Sequence, residues 1–327
     1  MQSQSARKIR WGILGLGNIA NKFAQDLLSI SDSELYAVAS RSEQKSAQFA
    51  QQYQATKAYS SYEALVKDPH VDAVYIATPH ALHQENTLLC LQQGIAVLCE
   101  KPFAMNAIEV NNMITAAQKK NVLLMEAMWT YFLPQYQFVL KELANKTYGE
   151  LLKVEADFGF TCEFDENSRL FKKSLGGGSL LDIGIYPIFV ALSTLGLPDT
   201  TTEKATFFEN GVDSSCVMQF NYKNGTQATL KSTLLESTPS EAIFYCEQGT
   251  IKINSGFHAP TTVTVNNGKT QQTLDFNCST NGYDYEIKHF NELLRQGKTE
   301  SNIMTFDFSR NLINTIDNIR QAIGLKY

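Results

Sequence analysis

No two of the six cysteines (Cys90, Cys99, Cys162, Cys216, Cys246, Cys278) stand in a C-x-x-C spacing. Zinc-ribbon and thioredoxin-type readings therefore lack their ligands or redox pair. There is no cationic excess. The chain carries 28 Lys and Arg against 33 Asp and Glu, a net charge of −5. That argues against a nucleic-acid backbone or an anionic membrane as partner. A small anionic ligand stays open, because one local Arg or Lys suffices for it. Histidine is scarce, at five residues. The nearest pair, His80 and His83, has no third ligand or acidic cluster beside it, so no metal site is expected. Long apolar runs are missing too. The best stretches are broken by Glu126, or by Pro187, Ser193 and Thr194, so no membrane span is expected. Residues 1–10 are polar and basic without an apolar core, unlike a signal peptide. With no export signal, the cysteines read as reduced thiols of a cytoplasmic protein.

What is present is enough for two domains. The chain has 327 residues, 43% hydrophobic and 19% charged, and single domains usually run ~100–200 residues. Strand and helix patterns alternate first. Strands are expected at 9–14, 35–39, 71–77, 95–98 and 122–125, and helices at 18–30, 42–54, 81–93 and 107–120. Ala47, Ala50 and Tyr53 form the inward face of the second helix. Ser60 with Glu63 resembles a capping box opening a further short helix. Near-continuous apolar strands between helices predict a doubly wound parallel sheet, a Rossmann domain over residues 1–127.

The pattern then changes. Leu152, Val154, Ala156, Phe158 and Phe160 alternate with Lys153, Glu155 and Asp157, as in a strand with one wet face. A helix is expected over 178–195. Asn224-Gly225 and Asn267-Gly268 each separate two apolar-alternating runs and read as hairpin turns. Helices at 283–295 and near 306–323 close the chain. Residues 128–327 are thus expected as an α+β domain with an open, mostly antiparallel sheet and flanking helices, completing the substrate site.

Four motifs carry chemistry. Gly12-Ile13-Leu14-Gly15-Leu16-Gly17-Asn18-Ile19-Ala20 places G-x-G-x-x-A between a strand and a helix. Gly15 permits the tight turn, and Gly17 lets the backbone approach a pyrophosphate. Asn18 and Ile19 open the helix whose free N–H groups meet it. The second strand then ends in Ser40-Arg41-Ser42, where an NAD enzyme would carry a carboxylate for the ribose 2′-OH. Two hydroxyls and a guanidinium suit a 2′-phosphate, so NADP(H) is favoured over NAD(H). Ser42 can cap the next helix at the same time.

Glu100-Lys101-Pro102 ends another strand, at the edge where ligands sit in open α/β sheets. An ammonium there can steady a developing alkoxide. Lastly, Gly176-Gly177-Gly178 precedes a helix carrying Asp182 and Tyr186 at i and i+4, on one face. A phenol has a pKa of about 10, and a nearby ammonium lowers it. Lys101 with Tyr186 would therefore make a workable acid/base pair. Thr78, His80 and His83 follow a parallel strand at the ligand edge, whereas His70, His258 and His289 read as loop or surface residues.

With these residues the chain resembles the Gfo/Idh/MocA oxidoreductase family over nearly its whole length. It is most similar to the dimeric dihydrodiol dehydrogenase and D-xylose dehydrogenase (NADP) branch. The carriers are Val97-Leu98-Cys99-Glu100-Lys101-Pro102, Glu126-Ala127-Met128-Trp129-Thr130 and Leu180-Leu181-Asp182-Ile183-Gly184-Ile185-Tyr186. The resemblance implies that Lys101 reaches nicotinamide ribose and substrate. It implies that Tyr186 is proton donor and acceptor where most relatives carry His. It also implies that Thr78, His80 and His83 line the nicotinamide side, and that Glu100, Trp129 and Arg169 approach cofactor or substrate. Hydride transfer between NADP(H) and a secondary alcohol or carbonyl of a sugar, sugar derivative or vicinal diol follows as the expected activity, in carbohydrate metabolism. A homodimer or homotetramer through the C-terminal sheet is the expected assembly. A non-catalytic NADP-binding sensor, or a sugar–sugar oxidoreductase that keeps its NADP, are the other readings. Retention of Lys101, Asp182 and Tyr186 together argues against the sensor, which needs none of them.

Overall fold

The structure, a computed structural model, describes residues 7–327. The reading of the N-terminal stretch falls largely on Met1–Ala6, outside the described residues. Contacts divide the chain into two compact units. One comprises Met1–Trp129 and Ser279–Arg310, the other Thr130–Cys278 and Asn311–Tyr327.

In the first unit, strands β1 (Ile9–Leu14), β2 (Ser33–Ala39), β3 (Lys57–Tyr59), β4 (Ala73–Ile76), β5 (Ala96–Glu100) and β6 (Leu124–Ala127) form one sheet in the order β3-β2-β1-β4-β5-β6. Every neighbouring pair is parallel. Helices α1 (Asn18–Leu28), α2 (Glu43–Tyr53), α3 (Tyr62–Val66), α4 (His83–Gln92) and α5 (Ala107–Lys120) make the crossovers. All residues of β4, β5 and β6 are buried, as strands covered on both faces must be. Strand order reverses between β1 and β4, and a ligand binds at such a switch point, beyond the carboxyl ends of the strands. The Rossmann expectation therefore holds.

Two local readings do not. The inward face of α2 is Ser46, Phe49 and Tyr53, with Ala47 exposed. Phe49 packs its ring 4.6 Å from that of Tyr53, and Ser46 Oγ donates to Tyr59 O at 2.7 Å. These contacts outweigh the small alanines in setting the helix rotation. The cap of α3 is Ser61, which accepts the Ala64 N–H at 3.1 Å, one residue later than Ser60.

In the second unit, α6 (Pro134–Ala144) precedes β7 (Leu151–Gly159), and α7 (Ile185–Leu195) precedes strands β8 (Thr200–Phe207), β9 (Asp213–Asn221), β10 (Gln227–Thr233), β11 (Ala242–Cys246), β12 (Gly249–Ile253), β13 (Val263–Asn266) and β14 (Gln271–Leu274). They form one sheet, β14-β13-β12-β11-β7-β10-β9-β8. Only the β7–β10 pair is parallel, so the mostly antiparallel expectation holds. Both Asn-Gly pairs do join hairpins, with Gly225 at φ 86° and Gly268 at φ 81°, the left-handed region glycine enters freely. Burial alternates along β9, β10 and β11. Leu152, expected inward, is 50% exposed near the start of β7. The helical stretch Lys173–Leu195 is long and apolar enough to cross a membrane, but 94% of its window is buried inside the protein, the situation of a core helix.

The chain returns to the first unit through α8 (Tyr283–Arg295) and the start of α9 (Phe306–Ala322). The buried carboxylate of Asp26 on α1 causes this. It accepts the Asn281 N–H at 3.0 Å and the Tyr283 N–H at 2.8 Å. Asn291 accepts the Trp11 indole N–H at 3.2 Å, and Phe290 lies 5.1 Å from the Trp11 ring. A single cut between residues 127 and 128 therefore describes neither unit fully.

Candidate active site

β1 delivers the glycine turn. Gly15 has φ 87°, and a Cβ there would stand 2.8 Å from Ala77 O, so no other residue fits. At Gly17 an added Cβ would meet nothing within 4 Å. Packing does not demand that glycine, and the open space in front of α1 fits a pyrophosphate. The first turn of α1 has no acidic residue and no side-chain cap competing for its N–H groups. Asn18 is exposed and Ile19 half-buried at its start. Asn21 Nδ2 donates to Gly17 O at 2.8 Å, and Tyr53 Oη donates to Asn21 at 2.8 Å; together they brace the turn.

Beyond β2, Ser40 is buried and its Oγ accepts the Ser42 N–H at 3.2 Å. Ser42 Oγ caps α2 by accepting the Lys45 N–H at 3.3 Å. Each hydroxyl keeps its proton to donate. Arg41 is exposed and lines a cavity of about 580 Å³ with Ser60, Tyr62, Leu82, Glu85 and Leu89. Burial raises the Tyr62 phenol while Arg41 pulls it the other way. Ser60 and Tyr62 escaped sequence reading as cavity residues because β3, which delivers them, spans only Lys57–Tyr59, too short for a pattern.

Thr78, His80 and His83 lie past β4, and Glu100 and Lys101 at the end of β5. Thr78 Oγ1 accepts from Asn86 Nδ2 at 3.0 Å. His80 is 6% exposed, its ring edge-on to His83 at 5.8 Å. His83 is placed otherwise than expected. It is fully buried, with Nδ1 at 2.8 Å from Pro102 O and Nε2 at 2.9 Å from Thr78 O, so its ring has no surface to offer a cofactor. Burial pushes it down to about 4, helped by His80 and Lys101. A neutral ring carries a single N–H, so it donates to one of these two carbonyls while it packs between both loops. Glu100 also turns inward: Tyr75 Oη donates to its Oε1, and the Lys101 N–H to its Oε2 at 3.1 Å. Its carboxylate holds the turn on which Lys101, half-buried, is presented. Trp129 is 6% exposed and stacks on Tyr283 at 4.4 Å and 3°, so Tyr283 covers one ring face.

The second unit holds Arg169, Asp182 and Tyr186. Leu180–Gly184 is a π-helical turn leading into α7, a feature often found at functional sites. Asp213, at the start of β9, anchors it. Its Oδ2 accepts from Ser179 Oγ at 2.8 Å and from the Leu180 N–H at 2.7 Å. Gly178 has φ 122°, and a Cβ there would fall on Asp213 Oδ1, so the glycine run is needed for this anchor. Asp182 and Tyr186 are 6% and 4% exposed. Arg169 reaches Asp182 with two nitrogens, at 3.2 and 3.4 Å. The Tyr186 ring lies 5.7 Å from Phe158, 6.5 Å from Phe257 and 5.2 Å from His258. His258, read from sequence as a loop or surface residue, is half-buried and stacks on Phe158 at 4.1 Å. Its loop is pinned by Thr130 Oγ1 donating to His258 O at 2.7 Å and Gln135 donating to Ala259 O at 2.8 Å. Asp213 and His258 had no sequence signal, because each acts through a partner distant along the chain. Among the described residues no cluster of His, Cys, Asp or Glu fits a metal ion.

Known proteins match along the whole chain. Residues 9–128 match the oxidoreductase family with an NAD-binding Rossmann fold, and residues 136–252 match the GFO/IDH/MocA C-terminal domain. Trans-1,2-dihydrobenzene-1,2-diol dehydrogenase of Xenopus tropicalis is 37% identical, over 97% of this chain and 99% of its own. The Homo sapiens protein of the same name is 32% identical, with 98% of each chain covered. Among solved structures, an aldose-aldose oxidoreductase from Caulobacter crescentus has a TM-score of 0.89 at 23% identity, covering 97% of this chain and 98% of that one. A 3-ketoreductase from Actinomadura kijaniata, in complex with NADP and TDP-benzene, has a TM-score of 0.87 at 24% identity with the same coverage. These two share the fold.

Proposed function

Because the chain belongs to the Gfo/Idh/MocA oxidoreductase family and is an NAD(P)-dependent oxidoreductase, we propose that it interconverts a secondary alcohol and a carbonyl on a vicinal diol or sugar-like polyol, with Tyr186 as acid/base and NADP as the preferred cofactor. The observation that carries this is the setting of Tyr186: a phenol on the same helical segment as a carboxylate, walled by Phe158, Phe257 and His258. The name shared by the relatives, a dehydrogenase of a dihydrobenzene diol, agrees with a ring-shaped diol against such a wall.

NADP, when bound, accepts or supplies the hydride. Gly15, Gly17, Asn18 and Ile19 would hold its pyrophosphate, and Ser40, Arg41 and Ser42 its 2′-phosphate. The proton is the protein's part. Tyr186 takes it from the substrate hydroxyl on oxidation and returns it to the carbonyl oxygen on reduction. Lys101 steadies the charge on that oxygen, and Asp182, held by Arg169, accepts a bond from a second hydroxyl. The test is an absorbance screen at the nicotinamide band, with NADP+ and NAD+ against xylose, glucose, inositols and dihydrodiols. NADP+-dependent turnover of a vicinal diol or sugar is expected, and silence with every pair would sink the reading.

Arg41 decides the cofactor preference. Arg41→Ala should weaken NADPH binding by about 10–100-fold, the worth of a hydrogen bond to a charged group, and leave NADH within ~2-fold. Fluorescence titration of both nucleotides measures it, and an equal loss for both would refute the 2′-phosphate role.

We also place the protein in the cytoplasm, supported by the buried thiols of Cys90, Cys99, Cys216 and Cys246, and as a homodimer or homotetramer through the second sheet. Val217, 43% exposed, and the half-buried Ile243 and Tyr245 sit at outward positions of β9 and β11, with Lys153, Glu155, Thr229 and Lys231 between them on β7 and β10, a mixed open face available for self-association. Sedimentation velocity at micromolar concentration should give the mass of two or four chains; a single-chain mass would exclude the assembly.

A further inference from the structure

Glu126 is a buried carboxyl that the scheme above leaves without a task. It is 2% exposed, near the end of β6, where it pairs in register with Cys99 of β5. Its Oε1 accepts the Phe103 N–H at 3.0 Å. That bond belongs to a set. On one side of Lys101, its own N–H is held by Glu100 Oε2 at 3.1 Å. On the other, the Pro102 carbonyl lies 2.8 Å from Nδ1 of the buried His83 ring, and the Phe103 N–H is held by Glu126. Every one of these three side chains is buried. The main chain on both sides of Lys101 is thus fixed by groups that do not face solvent.

We propose that Glu126 is a positioning residue for Lys101, fixing the turn that presents the ammonium and tuning the charge around it. The inference rests on the dehydrogenase reading. A glutamine at this position could accept the same N–H through its amide oxygen, without the desolvation cost of a buried carboxylate. The turn alone therefore gives no reason for an ionisable group. The groups acting on Glu126 are Glu100 and Lys101 from the end of β5, the Phe103 N–H, and Ser309 of α9. Burial lifts Glu126 to about 7; Ser309 and the Phe103 N–H pull it down, Glu100 pushes it up, and Lys101 pulls it down. A carboxyl raised to about 7 changes charge near neutrality, within the electrostatic reach of Lys101. Ionised, it offsets part of the positive charge that Lys101 offers the substrate oxygen.

Two variants test this, Glu126→Gln and Glu126→Ala, each against the wild-type protein with the substrate found in the screen. Glu126→Gln keeps the acceptor and should hold kcat within ~3-fold at pH 6, yet lack the inflection near pH 7 expected in the wild-type kcat profile. Glu126→Ala releases the Phe103 N–H and should lower kcat by ~10–100-fold, with NADPH affinity within ~3-fold. A second readout needs no turnover. A carboxyl raised on folding contributes stability that is present below about 4.5 and lost as pH rises through about 7. The melting temperature of Glu126→Gln should therefore climb relative to wild type between pH 5 and pH 8. If the alanine variant fails to fold, the glutamine pH profile decides the matter. An active wild type whose glutamine variant keeps the inflection overturns the role of Glu126 alone. A wild type inactive on every substrate overturns the dehydrogenase reading and the positioning role with it.

Discussion

Tyr186→Phe should lower kcat by ~10²–10⁴ and leave NADPH affinity nearly unchanged. The substitution removes one oxygen and keeps the ring. Phe158, Phe257 and His258 pack against that ring, so the fold of the second unit should persist and the loss should fall on proton transfer. Steady-state kinetics with a parallel NADPH titration separates the two effects. Loss of NADPH binding with turnover preserved would contradict the acid/base role. The size of the effect follows from what the phenol does: without it, the proton leaving the substrate hydroxyl must go to water in a site where Tyr186 itself is 4% exposed.

Lys101→Met should lower kcat/KM by ~10²–10³, the range seen when one donor to a developing oxyanion is removed. Methionine keeps an unbranched chain and removes the ammonium. The clamps on the turn are all to the main chain or to neighbours of Lys101, so they survive. Combining it with Tyr186→Phe is informative. If both groups serve one oxygen, the double variant should lose much less than the product of the single losses. Strict multiplicativity would mean that the two residues serve separate steps.

Much of the fold was legible because its signals are local. β1 and α5 fall where the apolar pattern put them, at Ile9–Leu14 and Ala107–Lys120, since a buried strand and an amphipathic helix each declare themselves within a dozen residues. Both Asn-Gly hairpins did so for the same reason. β3, β8, β11 and β12 gave no clear signal. β3 is three residues long, and β8 alternates between exposed and half-buried positions, so neither contrasts apolar with polar. The π-turn at Leu180–Gly184 also escaped notice, because its cause, Asp213, lies some thirty residues further on. At the site, the chemistry-bearing types were readable: Lys101, Asp182 and Tyr186 stand in motifs. The supports were not. Nothing near His83 in sequence announces Pro102 as its partner, and Glu126 read as an interruption of an apolar run rather than as an acceptor for Phe103.

The grip of Asp26 on Asn281 and Tyr283 bears on how the protein is made. A ribosome releases the six strands of the parallel sheet early, but Asp26 and Trp11 wait more than two hundred residues for α8 and the turn before it to arrive. Until then the Asp26 carboxylate and the Trp11 indole lack the partners that α8 and its leading turn bring, so the nascent nucleotide-binding half is open to chaperones and to nonproductive association for most of translation. Only when synthesis is nearly finished does the first unit close, which makes the oldest part of the chain among the last to mature.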